Sequence, residues 1–351
     1  MKKITALVLV SIALAACKKE SKTITKIDPV TGDTISIEVP AADSAQTLKE
    51  MAQNAAIKDS AGIFTQSLKL EKGKTYPFTT HQKDVATAKL PDGSSQSMTR
   101  ENTDEITFTV NNFENKIYDI TINFVAKKTS QSAQGKTETI DTRQPAPKDE
   151  GLKNRWTIDK AMTGNKLNMK IHENGNIISI KGFDPIYSKF TTTVNGLTKD
   201  ANERKALLAQ LKASFSEEVL KDQFSKNIFI IPKKGAKIGE KWTVSENASP
   251  DGKIKIQSHY TLKKVKDGIA EITITGGIPK QSNKETQEGV TQTLSSELTQ
   301  NGTYTFDVHS GWIINQNIHV KTSQSQTFSD GKNSETMTNT SDSYVIVNPK
   351  K

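Results

Sequence analysis

The sequence has 351 residues, with 48 Lys+Arg against 39 Asp+Glu for a net charge of +9, and 34% of it is hydrophobic. That is chain enough for about two domains, and Ile, Val, Leu and Phe recur in strand-like patterns that a disordered chain lacks. One Cys excludes an intramolecular disulfide and a Cys-rich metal site, and five His leave little material for acid–base or metal chemistry. No phosphate-cradling glycine loop, zinc-protease helix or nucleophile elbow occurs, so neither a cofactor nor catalytic residues are expected.

In chain order, Lys2 and Lys3 precede the apolar run Ile4 to Leu14. That run is too short for a bilayer span of about 20 residues but suits a secretory leader. It ends in Leu14-Ala15-Ala16-Cys17, which resembles the lipobox of bacterial lipoproteins. The resemblance implies a signal peptide over 1–16, cleavage between Ala16 and Cys17, and acylation of Cys17. Two or more acyl chains, at about 0.8 kcal/mol per buried methylene, hold a protein stably on a membrane. Lys18, in place of the Asp that often retains lipoproteins in the inner membrane, favours the outer membrane.

Residues 17–60 read as a polar tether. The runs 23–27 and 34–39 alternate Thr and Ile around Asp28-Pro29, predicting two short strands. Asp43 with Gln46 predicts a helix start, with Leu48, Met51, Ala52 and Ala55 on one face. Asp33-Thr34-Ile35, Asp43-Ser44-Ala45 and Asp59-Ser60-Ala61 resemble the O-glycosylation acceptor pattern of Bacteroidetes envelope proteins. Thr34, Ser44 and Ser60 are therefore candidate acceptors, although Asp before Ser or Thr is also common in caps and turns.

The body reads as a duplicated, mainly β unit, one copy over 61–197 and the other over 227–349, joined by a helical connector at 198–226. Residues 107–122 align without gaps to 259–274, with Thr109/Thr261, Ile117/Ile269 and Ile120-Thr121-Ile122/Ile272-Thr273-Ile274 identical. Each segment is an expected hairpin, turning at Glu114-Asn115-Lys116 and Lys266-Asp267-Gly268. Upstream, Gly73-Lys74-Thr75-Tyr76 answers Gly239-Glu240-Lys241-Trp242. Downstream, the hairpin 167–181 answers 304–320. In the connector, Asp200 and Ser216 cap two helices with apolar faces Leu207, Leu208, Leu211, Phe215 and Val219, Leu220, Phe224. The run Asn227 to Pro232 reads as a buried strand.

The layout resembles an uncharacterised family of Bacteroidetes lipoproteins, carried by Asp59-Ser60-Ala61-Gly62, by 68–76 ending in Gly73-Lys74-Thr75-Tyr76, by Asn174-Gly175-Asn176-Ile177 and by Gly239-Glu240-Lys241-Trp242. It implies an antiparallel architecture and no particular activity. At fold level, curved sheets with a helix across one face are also similar to envelope lipid-carrying lipoproteins.

His259, His309 and His319 fall at different strand heights, so joint metal ligation is not expected. Lys233-Lys234 and Lys263-Lys264-Lys266 are interspersed with acids and lack regular aromatics, which argues against nucleic acid. Tyr76, Trp242, Tyr260, Tyr304 and Trp312 are candidates for a lipid- or glycan-binding groove if they line one sheet face, and core fillers otherwise. The expectation is a non-enzymatic, lipid-anchored outer-membrane protein binding an apolar or glycan ligand. A structural partner in that membrane is the alternative, and a hydrolase ranks behind both.

Overall fold

The computed structural model describes residues 21–27, 34–40, 54–249 and 252–349. Ala16, Cys17, Ser44 and the expected helix start at Asp43 lie outside the described residues. Strands β1 (Ser21–Ile27) and β2 (Thr34–Pro40) pair antiparallel, Ile27 opposite Thr34, as the Thr/Ile alternation predicts.

The tether joins the body earlier than expected. Ala55, Ala56 and Ile57 are buried, and the N–H groups of Ala56 and Ile57 donate to the Val308 carbonyl at 2.8 and 2.9 Å. Strands β3 (Ile57–Ser60) and β4 (Ile63–Gln66) then form a hairpin, with the Asp59 carboxylate accepting the Gly62 N–H at 2.7 Å. An apolar Ala-Ala-Ile segment has more to gain in the core than in water, so packing begins before residue 60.

The body is one large antiparallel sheet of 12 strands that does not close. The first unit supplies β5 (Thr75–Lys89), β6 (Ser95–Glu114), β7 (Ile117–Ala133), β8 (Lys136–Asp141), β9 (Lys166–His172) and β10 (Ile177–Lys181). The second supplies β11 (Lys241–Asn247), β12 (Lys255–Lys266), β13 (Ile269–Gln287), β14 (Val290–Asp307), β15 (Ile313–Ser329) and β16 (Ser334–Val347). Their spatial order is β10-β9-β7-β6-β5-β16-β15-β14-β13-β12-β11, with β8 beside β7. The two units therefore lie head to tail in one sheet, and β16 bridges them.

The duplication holds at the level of register. Tyr76 pairs with Phe108 as Trp242 pairs with Tyr260. The Gly73 N–H donates to the Val110 carbonyl at 2.8 Å, and the Gly239 N–H to the Leu262 carbonyl at 2.7 Å. Ile120 opposes Met169 as Ile272 opposes Tyr304. The first unit also carries an insertion. β14 spans the whole length of β13, whereas β8 and β9 divide β7 between them, with helix α1 (Glu150–Met162) in the gap. The turns leading into β8 and β14 match, Gln134-Gly135 and Glu288-Gly289 all having positive φ, as a two-residue hairpin with inverted twist requires.

The long strands are apolar at one end only. On β6, Ile106, Phe108 and Val110 are buried, while residues 95–105 bury no side chain. The sheet thus has a core end and a polar end. Helices α1, α2 (Asp184–Leu197), α3 (Ala201–Ser214) and α4 (Glu217–Ile228) complete the fold. Asp200 accepts the Glu203 N–H at 2.8 Å and Ser216 the Val219 N–H at 3.4 Å, the two expected caps. α4 buries Leu220, Phe224 and Ile228, and Phe224 packs edge-on against Phe78 and Phe108 with ring centres 5.7 and 5.1 Å apart.

Four local expectations change. α1 and α2 fall inside the first unit, which the sequence pattern presents as strand and loop. α3 buries no residue, Leu208 and Leu211 being only half-buried, and the load passes to Phe215 just beyond it. Val219 is exposed. The run from Asn227 is not a strand: Asn227 and Ile228 end α4, and the N–H groups of Ile230 and Ile231 donate to Gln66 Oε1 at 3.1 and 3.2 Å. A buried glutamine meets backbone needs that a sheet would otherwise supply.

Candidate functional site

The five candidate groove aromatics separate into two groups. Tyr76 and Trp312 are fully buried, 5.4 Å apart, and Trp312 also packs on Phe108 at 5.2 Å. Trp312 Nε1 donates to the Pro77 carbonyl at 3.1 Å, and the Tyr76 hydroxyl accepts the Glu71 N–H at 3.0 Å. Burial pushes the Tyr76 hydroxyl pKa up to about 12. These two are core residues with satisfied polar ends, so the groove does not extend to them.

Trp242, Tyr260 and Tyr304 form a row on the same sheet face in the second unit. Trp242 stacks on Tyr260 at 5.7 Å and 14°, and Tyr304 follows Tyr260 at 6.1 Å. Trp242 and Tyr260 are only half-buried, whereas Tyr304 is buried. The Tyr260 hydroxyl interacts with those of Tyr304 and Ser258. Gln300 Nε2 in turn donates to Ser258 Oγ at 2.7 Å. Burial raises the pKa of both Tyr260 and Tyr304, so both stay neutral donors at physiological pH.

Tyr260 opens into a cleft of about 490 Å³ between α4 and the edge strand β11. Phe229, Ile230 and Val244 give it apolar surface, and Asp222, Lys226 and Glu246 give it charge. Lys226 Nζ lies 2.7 Å from Glu246 and 3.0 Å from Asp222. Burial works against the Lys226 ammonium, but these two carboxylates outweigh it and hold its pKa above the usual lysine value. A cleft that pairs an aromatic platform with fixed hydrogen-bonding and charged groups suits a ligand carrying both C–H faces and polar substituents.

The remaining candidates have ordinary partners. His259 Nδ1 lies 2.9 Å from Thr243 Oγ1, and His319 Nε2 lies 2.8 Å from Asp342. Among the described residues no three His, Cys, Asp or Glu are placed to hold a metal ion, and no helix is long and apolar enough to cross a membrane. Asp149 caps α1 through the Leu152 N–H at 2.9 Å. Lys234 and Lys264 each pair with a Glu at 3.2 Å. Ser60 is exposed at the end of β3, and Thr34 opens β2. Sequence reasoning missed Asp222, Lys226, Phe229 and Glu246, because only the docking of α4 beside β11 brings them to Tyr260.

A model of a family of unknown function (DUF6263) matches residues 115–313, more than half of the chain. No curated protein matches it. Among solved structures the chain is similar to lipovitellin, in a structure of its lipid–protein interactions, at 10% identity and a TM-score of 0.35 over 80% of this chain and 25% of that one. It is also similar to an outer membrane channel from Pseudomonas putida F1, at 8% identity and a TM-score of 0.18 over 82% of this chain and 99% of that one. Pseudomonas aeruginosa OccK5 gives 7% identity and a TM-score of 0.16 over 76% and 68%. The chain spans about a quarter of the length of the lipovitellin chain, and all three scores are too low to bear on its role.

Proposed function

The chain belongs to DUF6263, a family of unknown function, and from that premise we propose a non-catalytic envelope lipoprotein, lipid-anchored at Cys17 in the outer membrane, that binds a glycan in the cleft beside Tyr260. The observation that carries the reading is the open aromatic pair. The matching pair in the first unit, Tyr76 and Phe108, is fully buried, with Phe224 packed on Phe108, while Trp242 and Tyr260 stay half-exposed beside a polar cleft. Aromatic faces take up sugar C–H surface, and Lys226, Glu246 and the Tyr260 hydroxyl offer fixed polar contacts. A purely apolar ligand fits less well, since it would strip water from those groups without replacing their hydrogen bonds.

Glycan-array binding of the full chain tests this, read beside Tyr260→Ala. The expected result is binding to a defined glycan set that the variant loses while its circular dichroism is unchanged. An empty array, or binding that survives Tyr260→Ala intact, overturns the cleft. The anchor is tested separately by metabolic labelling with an alkyne fatty acid, which Cys17→Ser must abolish.

The position of β11 as the last strand of the sheet favours a second reading, that of an assembly partner which receives a strand there. Photo-crosslinking from position 245 in cells would then trap one discrete partner, and an array-positive, crosslink-negative protein removes this reading.

A further inference from the structure

At the polar end of the sheet a concavity of about 690 Å³ lies between β5, β6, β15, β16 and the β7–β8 turn. Not one of its lining residues is charged, although a quarter of the chain is Asp, Glu, Lys or Arg. Ala86 and Met98 give it apolar surface, and Gln96, Gln134, Gln324 and Asn339 bring four carboxamides. None of these four amides bonds to another of the described residues. Some amides outside it are engaged: Gln66 bonds to Ile228 and Gly311, Asn102 to Thr129, Gln300 to Ser258 and Asn315 to Val347.

We propose that this concavity is a second binding site, for a neutral glycan, independent of the cleft beside Tyr260. A carboxamide donates and accepts at once, matching hydroxyls that do the same. The missing charge removes any reason for a uronate, sulfate or phosphate to settle there. An acyl chain would desolvate four amides and return no hydrogen bonds. A peptide strand docks on a sheet edge through its backbone, whereas this is a sheet face. The volume lies within the range of about 300–1,000 Å³ common for small-molecule sites.

The test is calorimetry on the full chain in a non-glycosidic detergent, with maltohexaose, laminarihexaose, chitohexaose and the charged hexagalacturonate as probes. The proposal expects at least one neutral probe to bind with an affinity insensitive to salt. It expects the double variant Gln324→Ala/Asn339→Ala to weaken that affinity at least tenfold, about 1.4 kcal/mol, and Tyr260→Ala to leave it unchanged. Both altered side chains are at the surface, and an unchanged circular dichroism spectrum checks the fold. Three results overturn it: no neutral probe binds, hexagalacturonate binds more tightly than all of them, or the double variant binds as well as the parent. Loss in Tyr260→Ala alone would assign the glycan to the cleft and reject the second site.

Discussion

Trp242 and Tyr260 stack 5.7 Å apart at the paired position that Tyr76 and Phe108 occupy in the first unit. One register thus serves two ends. In the first unit the pair is sealed, with Phe224 and Trp312 packed on Phe108. In the second Tyr260 lines the cleft and Trp242 stacks on it. Phe108→Ala is expected to cost about 3–5 kcal/mol, as truncation of a buried aromatic does. Trp242→Ala is expected to cost at most about 2 kcal/mol, because it loses a half-exposed stack. Urea unfolding of both variants measures the contrast. Equal losses would mean that Trp242 is as much a core residue as Phe108.

Gln66 holds three segments together. Its Oε1 accepts the N–H groups of Ile230 and Ile231 at 3.1 and 3.2 Å, and its Nε2 donates to the carbonyls of Ile228 and Gly311 at 3.1 and 3.3 Å. Gln66→Leu keeps the bulk and orphans two N–H groups, each worth about 1–3 kcal/mol when left buried and unpaired. The expected loss is about 3–5 kcal/mol, with faster hydrogen exchange at Ile230 and Ile231. Unchanged exchange there would show that water replaces the amide without cost.

The two sheet edges are treated differently. At β10 the Glu217 carboxylate accepts the Ile180 N–H at 3.1 Å, and Lys221 Nζ donates to the Ile178 carbonyl at 2.8 Å. Side chains of α4 therefore occupy backbone groups that could otherwise template another strand. Glu217→Ala/Lys221→Ala should leave the chain folded and raise its tendency to associate. Sedimentation velocity at rising concentration reads this, and a variant that sediments like the parent would show that the caps do not guard the edge.

Much of this architecture is legible in the sequence, because duplication preserves register. The gapless match of 107–122 to 259–274 predicts paired hairpins, and the structure repeats even the Gly73 and Gly239 hydrogen bonds. Local capping chemistry locates α3 and α4. α2 escapes because Thr191-Thr192-Thr193-Val194 reads as β-prone, although Pro185 at its start and the spacing of Ile186, Phe190 and Val194 on its buried face are helical signals. α1 buries no residue, so it has no apolar stripe to detect. The cleft escapes for a different reason. Tyr260 and Trp242 are visible as strand aromatics, but Asp222 and Lys226 reach them only through the docking of α4, which periodicity does not encode. Nor does composition tell buried Tyr76 from half-exposed Trp242.

Alkaline pH should unfold the protein through its tyrosines. Burial raises the Tyr76 pKa to about 12, and raises those of Tyr118, Tyr260 and Tyr304 as well. An unfolded tyrosine releases its proton near pH 10, while the folded state still holds it. Below about pH 10 both states are protonated and the contribution of these groups to stability is complete. From about pH 10 to about pH 12 the unfolded chain alone ionises, so stability falls with every group whose folded pKa is raised, and the contribution of Tyr76 is gone above its folded value. Its share is on the order of 2 kcal/mol. Urea unfolding across this window, followed by circular dichroism and tyrosinate absorbance, should show ionisation and loss of structure together. Tyr76→Phe removes one titrating group, so the fall should become shallower even though the variant loses the hydrogen bond from Glu71. A stability that stays flat through this window, or a slope that Tyr76→Phe leaves unaltered, would mean that the buried hydroxyls ionise as freely as those of the unfolded chain.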